Sequence, residues 1–465
     1  MMRSSSRLQS HIYLLLLVLL CCPLALSLTF PVDSVGRPTK DAIQTFYLDP
    51  QQLWYNRDFY MRGRKELLSA IHRVVRRSIQ SIFDQRVYSV VNNSILAPSN
   101  SPHDFYSLAR YFWPNVSDPT GRYIRYDGYV NPEVWLSSDP PYLKLVINDV
   151  FDTGLAYFFT GNTSYAAQGC RRLAAWFVNN STRMNPNMNY ENWVIGTQQI
   201  KLTGSSGGLL DYSNVYMLID GFQLLRTAPE TTCAQVIDPF IHWQSSFLDW
   251  LQSSPRGNVT KHQLNNQGTW YDVQVVSLML LMNRTAAVEH YIQTYTFPRI
   301  LAQIMDDGSQ PLEMQRPTSW YYSGFNLQGL FVLGQLMRST NLSLFDFKRS
   351  PGTPPLVLVA LNHLTTYALV NGTGWPAANS GDFNPATVIS LLKQAYVIYK
   401  DSSLIKAANQ LQQKPQIWNP MRLWSPYASF DNPTKSSARA RGTRGVCSKW
   451  TYAVALAVLY CILLG

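Results

Sequence analysis

The sequence predicts an all-α fold in which pairs of helices repeat as hairpins, and three observations carry that prediction. Of the 465 residues, 46% are hydrophobic and only 14% are charged, whereas charged residues usually supply about a quarter of a globular chain. Apolar residues recur at helical spacing along most of the chain. No alternating strand series and no βαβ pattern competes with them. Repeated helical hairpins are typical of a solenoid or of a closed α/α toroid.

The predicted helices follow one another at regular intervals. Short turns rich in Asn, Gly and Thr separate several of them, so that a long apolar helix, a turn and a second helix form one unit. Apolar residues at helical spacing predict helices at about 67–83, 143–159, 165–177, 214–226, 235–252, 270–282, 286–304, 320–338, 355–370 and 386–399.

Both ends of the chain are typical of processing signals. Arg3 and Arg7 precede an apolar run and a small-residue cleavage motif, so we expect 1–27 to be a secretory signal peptide rather than a membrane anchor. Residues 436–465 combine small residues, a basic polar spacer and an apolar tail, the layout of a glycosylphosphatidylinositol attachment signal. The alternative is a transmembrane helix, but the tail is shorter than the ~20 apolar residues of a span. The folded domain is then expected at 28–435.

The net charge argues against a nucleic-acid partner once the ends are removed. The whole chain carries +11, but the two terminal segments hold six basic residues and no acidic ones, which leaves +5. No basic run or nucleic-acid-binding motif lies between them. We therefore expect no nucleic-acid partner, and contact with a membrane only through the C-terminal lipid anchor.

Cysteines and glycosylation motifs also favour secretion. Cys170 and Cys233 remain after removal of both ends, and they could form a disulfide or stay as free thiols. The density of Asn-x-Ser/Thr motifs is typical of a secreted glycoprotein, in which modified sites lie on surface turns. The motifs begin at Asn92, Asn115, Asn162, Asn179, Asn180, Asn258, Asn283, Asn341 and Asn371.

Two long segments between the predicted helices are polar and aromatic. Residues 92–142 and 183–212 are rich in Trp, Tyr and Asn. Long loops on a helical scaffold often carry the functional site, and aromatic and amide side chains suit sugar rings with apolar faces and hydroxyl edges. We expect these loops to line a cleft, with ordinary loop packing as the competing interpretation for each residue taken alone.

Two further segments contain the candidate chemistry. Residues 265–267 are three consecutive amides at the start of a long apolar helix; Asn265 could simply cap that helix, but three amides exceed what a cap needs. Arg316 precedes Tyr322 by six residues. A neighbouring cation lowers the pKa of a tyrosine, which can then take or give a proton. The alternative for Arg316 is an ion pair with Glu313.

These segments resemble signature motifs of the alginate lyase family of polysaccharide lyases. The motifs are N-N-Q-G-T-W-Y-D at 265–272, D-G-S-Q-P-L-E-M-Q-R at 307–316 and W-Y-Y-S-G-F-N-L-Q at 320–328. The resemblance covers roughly 60–410 and implies an incomplete α/α toroid of helical hairpins, with long aromatic loops lining a cleft. Earlier stretches that also match are 102–104, 111–114, 125–128, 131–133, 183–187 and 189–190.

The resemblance also implies a reaction, β-elimination at C4 of a uronate. In such lyases a neutraliser binds the carboxylate, a base removes the C5 proton, and an acid protonates the leaving oxygen. By position, Tyr322 is the base and also the acid, Asn266 holds the carboxylate, and Arg316 lowers the pKa of Tyr322 or binds substrate. The residues expected to bind substrate are Asn265, Trp270, Tyr271, Asn189, Tyr190, Trp113, Arg125, Glu313 and Tyr321.

Gln267 departs from the family pattern, which has a histidine at this position. A glutamine cannot transfer protons but can donate a hydrogen bond to a carboxylate, so Gln267 stays among the catalytic candidates. Either Tyr322 makes both proton transfers or activity is lost. One residue in both roles suits syn elimination, which fits mannuronate or glucuronate better than guluronate. His262 is expected to face away, and His103 to serve the surface or packing.

The leading hypothesis is a secreted, monomeric polysaccharide lyase at the extracellular face of the plasma membrane or in the cell wall. Its partner would be an acidic polysaccharide, and no cofactor or metal is predicted, since no ligand set has diagnostic metal spacing. One alternative is a carbohydrate-binding pseudoenzyme, motivated by Gln267. The other is a glycoside hydrolase on an α/α scaffold, for which Asp272 and Glu313 are the candidate carboxylates.

Overall fold

The computed structural model describes residues 43–63, 68–196 and 209–412. The predicted signal peptide at 1–27 and anchor signal at 436–465 lie outside the described residues, so the domain boundaries stay predictions. None of the described helices combines the length and the apolar character that a bilayer span requires.

The described chain is mostly helical, which confirms the all-α prediction. The ten predicted helices lie close to their expected places, whereas the helices Pro50–Met61, Pro255–Lys261, Pro311–Met314 and Ser402–Leu411 are not among the predicted ones. In chain order the described helices are α1 (Pro50–Met61), α2 (Leu68–Phe83), α3 (Asp139–Thr160), α4 (Thr163–Leu173), α5 (Val215–Leu225), α6 (Glu230–Ser253), α7 (Pro255–Lys261), α8 (Asn266–Leu281), α9 (Thr285–Tyr291), α10 (Phe297–Gln303), α11 (Pro311–Met314), α12 (Ser319–Leu336), α13 (Leu356–Leu369), α14 (Ala386–Tyr399) and α15 (Ser402–Leu411).

Four short strands lie in the long aromatic loops. β1 (Tyr106–Leu108) pairs in parallel with β4 (Tyr190–Trp193), and β2 (Phe112–Trp113) pairs antiparallel with β3 (Ile124–Arg125). The β1–β4 pair joins the two segments that the sequence assigns to loops. The loops therefore lie against each other although about 80 residues separate them in the chain.

Helices α3 and α4 form a helical hairpin of the predicted kind. Gly161 ends α3 at φ 74°, a left-handed conformation that glycine adopts at little cost. Asn162 then caps α4 by accepting a 2.9 Å hydrogen bond from the N–H of Ser164. Cys170 on α4 and Cys233 on α6 form a disulfide with their Cα atoms 5.7 Å apart, so of the two alternatives for these cysteines the structure has the bonded one.

Three predicted helices differ from the observed ones where backbone hydrogen bonding changes, and the one expected at 165–177 ends as a π-helical turn, Ala174–Val178. The helix expected at 286–304 is interrupted by a π-helical turn, Ile292–Thr296, just before a proline whose missing N–H cannot continue the regular pattern. The helix expected at 270–282 begins earlier, at Asn266, because the side chain of Asn265 supplies its cap.

Helices α8 and α12 pack side by side and carry the two candidate segments. Trp270 on α8 stacks on Phe325 of α12 with ring centres 5.0 Å apart. Gly329 allows this approach, since a Cβ atom there would lie 2.8 Å from the methyl group of Thr269. Thr269 also donates a 2.6 Å hydrogen bond to Asn326 across the same contact. The packing of these two helices brings the candidate segments together.

Candidate active site

Tyr322, the candidate acid and base, lies in the first turn of α12 and is 8% exposed. Its hydroxyl oxygen is 2.8 Å from that of Tyr111, and either group can donate the hydrogen bond. Tyr111 belongs to the connection between β1 and β2. The contact therefore places the candidate proton-transfer group where the helical body meets the aromatic loops.

Arg316 covers one face of the Tyr322 ring. Its guanidinium carbon is 3.8 Å from the ring centre, a cation–π contact. The same guanidinium donates two 2.8 Å hydrogen bonds to the two carboxylate oxygens of Asp127, and Arg125 donates a third bond of 3.1 Å to that carboxylate. The ion-pair partner of Arg316 is thus Asp127, and the predicted alternative, Glu313, is wrong.

Burial decides the protonation state of Tyr322. Burial raises the pKa of Tyr322 above its ordinary value near 10, the hydrogen bond with Tyr111 raises it further, and the charge of Arg316 opposes this rise only in part. Arg316 acts on the pKa of Tyr322 in the expected downward direction, but burial outweighs it and the net pKa is raised. Burial also raises the pKa of Asp127, but the hydrogen bonds and charge of Arg316, together with the charge of Arg125, outweigh it and the net pKa is lowered. At neutral pH the site holds a neutral phenol beside an ionised Arg–Asp pair.

The first turn of α8 carries the amide groups. Asn265 acts as the helix cap, accepting a 3.1 Å hydrogen bond from the N–H of Gln267. Asn266 donates twice to Glu313: its backbone N–H reaches one carboxylate oxygen at 2.5 Å and its Nδ2 the other at 2.6 Å. Within the described residues, Asn266 Oδ1 and Gln267 Oε1 are buried and have no hydrogen-bond donor. Two unsatisfied amide oxygens therefore mark this turn, each costing about 1–3 kcal/mol.

Glu313 is 1% exposed and lies against Asn266, so its predicted direct contact with substrate is wrong. Burial raises the pKa of Glu313 to about 7, although the two hydrogen bonds from Asn266 and the charge of Arg316 oppose the rise. A carboxyl group with such a pKa changes its charge near neutral pH. Glu313 therefore acts on a ligand indirectly, through its hydrogen bonds with Asn266.

A buried amide network fixes both turns to neighbouring elements. Asn326 donates a 2.8 Å hydrogen bond to Gln310 Oε1, and Gln310 Nε2 donates to the carbonyl of Ser323 at 3.1 Å. Gln303, the last residue of α10, donates to the carbonyl of Asn265 at 3.0 Å. Because these groups are fully enclosed, the network holds the first turns of α8 and α12 in one geometry.

Asn189 and Tyr190 lie at the start of β4, in the second aromatic loop. Arg256 donates hydrogen bonds to the carbonyl groups of Asn189 (3.0 Å) and Glu191 (2.7 Å). Trp250 donates to Asn189 Oδ1 at 3.0 Å, which leaves the Nδ2 group of Asn189 as its side-chain donor. The buried Arg256 thus anchors this loop to the helical body.

The other predicted substrate contacts divide by exposure. Tyr321 is 58% exposed, Arg125 is exposed and Trp113 is half-buried, so a ligand can reach all three. Trp270 and Tyr271 are buried, and the hydroxyl of Tyr271 donates to a backbone carbonyl. The prediction that Trp270 and Tyr271 bind substrate is wrong, because neighbouring helices cover this part of α8.

Exposed aromatic side chains continue from Tyr111 along the loop, and we call Tyr126, Tyr129 and Trp135 the aromatic rim. They are 51%, 66% and 72% exposed. The N–H of Tyr126 donates to the carbonyl of Tyr111 at 2.8 Å, and Trp113 donates to that of Tyr129 at 3.0 Å. The rim is therefore tied directly to the residue that contacts Tyr322, and it offers ring faces beside the site.

Comparison with known proteins decides the family. The family model described as alginate lyase matches residues 89–371, more than half of the chain. The chain belongs to the alginate lyase family. Its structure is similar to the crystal structure of an alginate lyase from Bacteroides ovatus, with a TM-score of 0.75 and 25% identity over 83% of this chain and 100% of that chain.

A second solved structure is less similar to this chain, and comparison with curated proteins finds no significant match. Alginate lyase A1-III from Sphingomonas species A1 is 14% identical with a TM-score of 0.48, over 82% of this chain and 97% of that chain. The family match makes the chain a polysaccharide lyase, as predicted, and confirms the incomplete α/α toroid, since the described helices of the lyase form no closed barrel.

Tyr111 and Asp127 are the residues of the lyase site that sequence reasoning misses. Both lie in stretches that resemble the family, 111–114 and 125–128. Their distance in sequence from Tyr322 hides the contact, because only the fold of the loop brings them to α12. Their place inside matched motifs was the one signal available.

Other titratable candidates in the lyase are structural. His103 and His262 each bind a backbone carbonyl, at 2.7 and 2.8 Å, which agrees with the expected minor roles. Asp272 is fully buried and accepts two hydrogen bonds from Arg299 and one from a tyrosine. With Glu313 buried as well, the hydrolase alternative lacks two accessible carboxylates. Among the described residues no group of three His, Cys, Asp or Glu is arranged to hold a metal.

Proposed function

We propose that the lyase cleaves a uronate-containing polysaccharide, polymannuronate or a glucuronan-like polymer, by β-elimination to 4,5-unsaturated products. The observation that carries the proposal is the contact of the buried Tyr322 with both Tyr111 and Arg316. Tyr322 takes the C5 proton and returns a proton to the leaving oxygen, while the C4–O bond breaks and the C4–C5 double bond forms. Asn266 and Gln267 bind the carboxylate, which makes the C5 proton more acidic.

Tyr322 must be a phenolate when it takes the C5 proton, and its raised pKa makes that form scarce in the free protein. Tyr111 can donate its hydrogen bond to the phenolate, and Arg316 places a fixed charge against the ring. Such preorganised groups stabilise charge that develops during reaction. One residue in both roles suits syn elimination, which favours mannuronate or glucuronate over guluronate.

An acidic polysaccharide fits the surface beside Tyr322. Arg110 and Arg125 are exposed there, and the carbonyl of Arg110 accepts a hydrogen bond from Asn131 within the loop that carries the aromatic rim. Exposed guanidinium groups attract a polyanion and hydrogen bond to carboxylates. The rim supplies faces on which sugar rings can stack, so that a chain of several uronates would be bound.

The test is an assay of the purified protein with polymannuronate, polyglucuronate and a neutral glycan. Ultraviolet absorbance reports the unsaturated product, and a separate measurement reports new reducing ends. We expect both to rise together on a polyuronate only. Reducing ends without absorbance would indicate hydrolysis, and binding with neither signal would indicate the pseudoenzyme that Gln267 makes an alternative; each result would overturn the proposal.

We also propose that the lyase acts as a monomer outside the cell, held by a glycosylphosphatidylinositol anchor at the plasma membrane or in the cell wall. The patterns of the two terminal segments support this, and the Cys170–Cys233 disulfide suits an oxidising compartment. A phospholipase C specific for phosphatidylinositol should release the protein from intact cells. Retention after treatment, with a known anchored protein released in parallel, would contradict the anchor.

N-linked glycosylation is proposed on the same grounds. Eight of the nine motif asparagines are exposed, and Asn115 is half-buried. Asn283 and Asn371 occupy left-handed turns after α8 and α13, and surface turns are where such modified sites are expected. Digestion of the secreted protein with an N-glycosidase should lower its mass by several glycans, and an unchanged mass would exclude the modification.

A further inference from the structure

Asn266 presents an acceptor where the proposed reaction needs a donor. Its Nδ2 group donates to Glu313, while its Oδ1 atom is buried without a donor among the described residues. A uronate carboxylate can only accept hydrogen bonds. In the observed orientation the amide therefore directs its oxygen, not its NH2 group, away from Glu313, and its NH2 group is not free for a carboxylate.

The charge of Glu313 sets this orientation. Both oxygens of the Glu313 carboxylate accept hydrogen bonds, one from the backbone N–H of Asn266 and one from its side chain. An ionised carboxylate has no proton to donate, so it draws the NH2 group of the amide towards itself. A protonated Glu313 would instead donate to Oδ1, and the amide would turn by about 180° with its NH2 group where Oδ1 now lies.

We propose that Glu313 is a positioning residue that takes up one proton from solvent when a uronate carboxylate binds, and that this proton turns the Asn266 amide so that its NH2 group binds the carboxylate. The inference rests on the proposed function, because it assumes that Asn266 is the carboxylate ligand. A buffer acid gives up its proton, an O–H bond forms on Glu313, and the proton returns to the buffer when product leaves; no other bond of the protein changes.

The surroundings of Glu313 favour proton uptake. A second carboxylate close to a buried one raises the pKa of the pair, because two adjacent negative charges cannot both be desolvated cheaply. The pKa of the free Glu313 is already about 7 through burial, so protonation costs little near neutral pH. The charge of Arg316 acts on Glu313, but Arg316 is hydrogen bonded to both carboxylate oxygens of Asp127 and packs on the ring of Tyr322. Arg299 and Asp272, a second ion pair at α8, are bonded to each other.

Isothermal titration calorimetry tests the proton uptake directly. A mannuronate oligomer is titrated into Tyr322→Phe, which cannot turn it over, in buffers of different ionisation enthalpy. We expect uptake of about one proton per site at pH 8, where free Glu313 is ionised, and much less at pH 6. The double variant Tyr322→Phe/Glu313→Gln should bind without proton uptake, since a glutamine can accept from the backbone and donate to Asn266 Oδ1 without titrating.

Glu289 provides a matched control. It accepts hydrogen bonds from the backbone N–H and the Nδ2 group of Asn341, at 2.8 and 3.0 Å, but on the protein surface. Adding Glu289→Gln to Tyr322→Phe should leave the proton uptake unchanged. If the oligomer does not bind at all, both the proposed function and this inference are contradicted. Binding without proton uptake contradicts the inference alone.

The pH profile of kcat/KM gives a second readout with Tyr322 intact. Because Tyr322 must lose a proton and Glu313 must hold one, wild-type kcat/KM should rise about tenfold per pH unit below pH 7 and level off above it. Glu313→Gln should keep rising above pH 7, whereas Glu313→Ala should lose most activity at every pH. A Glu313→Gln profile that levels off like the wild type would show that Glu313 only holds the fold.

Discussion

The first turns of α8 and α12 face the same site but are organised in opposite ways. At the start of α12, Tyr322 is hydrogen bonded to Tyr111 and covered by Arg316, which is itself paired with Asp127. At the start of α8, the oxygens of both Asn266 and Gln267 are buried without donors among the described residues. The groups at Tyr322 are already paired in the free protein, whereas the amides at α8 must reorient before they can donate to a carboxylate.

The difference follows from what each side does in the proposed reaction. Charge that develops on a phenolate is best stabilised by groups already in place, because moving them during the reaction would cost energy. A carboxylate, by contrast, only accepts hydrogen bonds, so the amides at α8, whose oxygens lack donors in the free protein, must turn their NH2 groups towards it. Variants on the two sides should therefore differ: those near α12 should lower kcat, and those at α8 should mainly raise KM.

The largest effect is expected for Tyr322→Phe. Removing the hydroxyl deletes the group to which both proton transfers are assigned, so kcat should fall by about 10³-fold or more. The ring and its contact with Arg316 stay, so circular dichroism and the midpoint of thermal unfolding should change little. Production of absorbance from polymannuronate measures the loss. Tyr55→Phe, an exposed tyrosine on α1, is the control and should keep full activity; an active Tyr322→Phe would remove Tyr322 from its proposed role.

The dependence of kcat on pH separates the two roles of Tyr322. Its pKa is raised by burial and by the hydrogen bond with Tyr111, so the phenolate fraction grows about tenfold per pH unit throughout the neutral range. If proton abstraction limits turnover, kcat should rise about 100-fold from pH 6 to pH 8. Stopped assays at constant ionic strength measure this. A kcat that falls as pH rises would mean that Tyr322 acts only as the acid.

The fold was accessible from the sequence because its signal is local. Apolar residues at helical spacing mark the ten predicted helices, and turns such as Gly161–Asn162 carry their own caps, so the positions of these elements need no knowledge of distant contacts. The interruption at Ile292–Thr296 shows the limit, since a proline fixes where the hydrogen-bond pattern must change but not how the chain changes it.

The site was accessible only in part, because its contacts join distant segments. Motif positions indicate Asn266, Arg316 and Tyr322, but the ion-pair partner of Arg316 comes from 189 residues away. Burial also raises the pKa of Tyr322, although the charge of Arg316 alone would lower it. Burial is a property of the assembled helices that no local sequence pattern reports. The same cause removes Trp270 from the predicted substrate contacts.

Asp127→Asn should weaken the α12 side without removing its chemistry. Loss of charge-assisted hydrogen bonds to a partly buried Arg316 costs about 1.5–3 kcal/mol, so we expect a fall in kcat of about 10-fold or more and lower stability in urea. The net pKa of Asp127 is lowered in the fold, so its stabilisation is present above the unfolded pKa and is lost as pH falls through the folded one. The stability difference between wild type and Asp127→Asn should therefore vanish in strong acid.

Asp306→Asn is the matched control for that comparison. Asp306 also pairs with an arginine, Arg349, but its side chain is 87% exposed. Exposed ion pairs contribute about 0–1 kcal/mol, so this variant should keep its stability in urea and its kcat. Equal losses in Asp127→Asn and Asp306→Asn would mean that the pair at Asp127 is no more than a surface contact.

The smallest effect is expected on the α8 side, for Gln267→Ala. Gln267 contributes one hydrogen bond to the carboxylate in the proposed complex and cannot move a proton, so its loss should raise KM about 5- to 10-fold, with kcat nearly unchanged. Gln328→Ala, an exposed amide on α12, is the control. A kcat that falls 100-fold in Gln267→Ala would place this amide in the transition state and end the division between the two turns. A large gain in kcat for Gln267→His would show instead that the α8 turn has lost a proton-transfer group, so that its unsatisfied oxygens mark a decayed site rather than one completed by substrate.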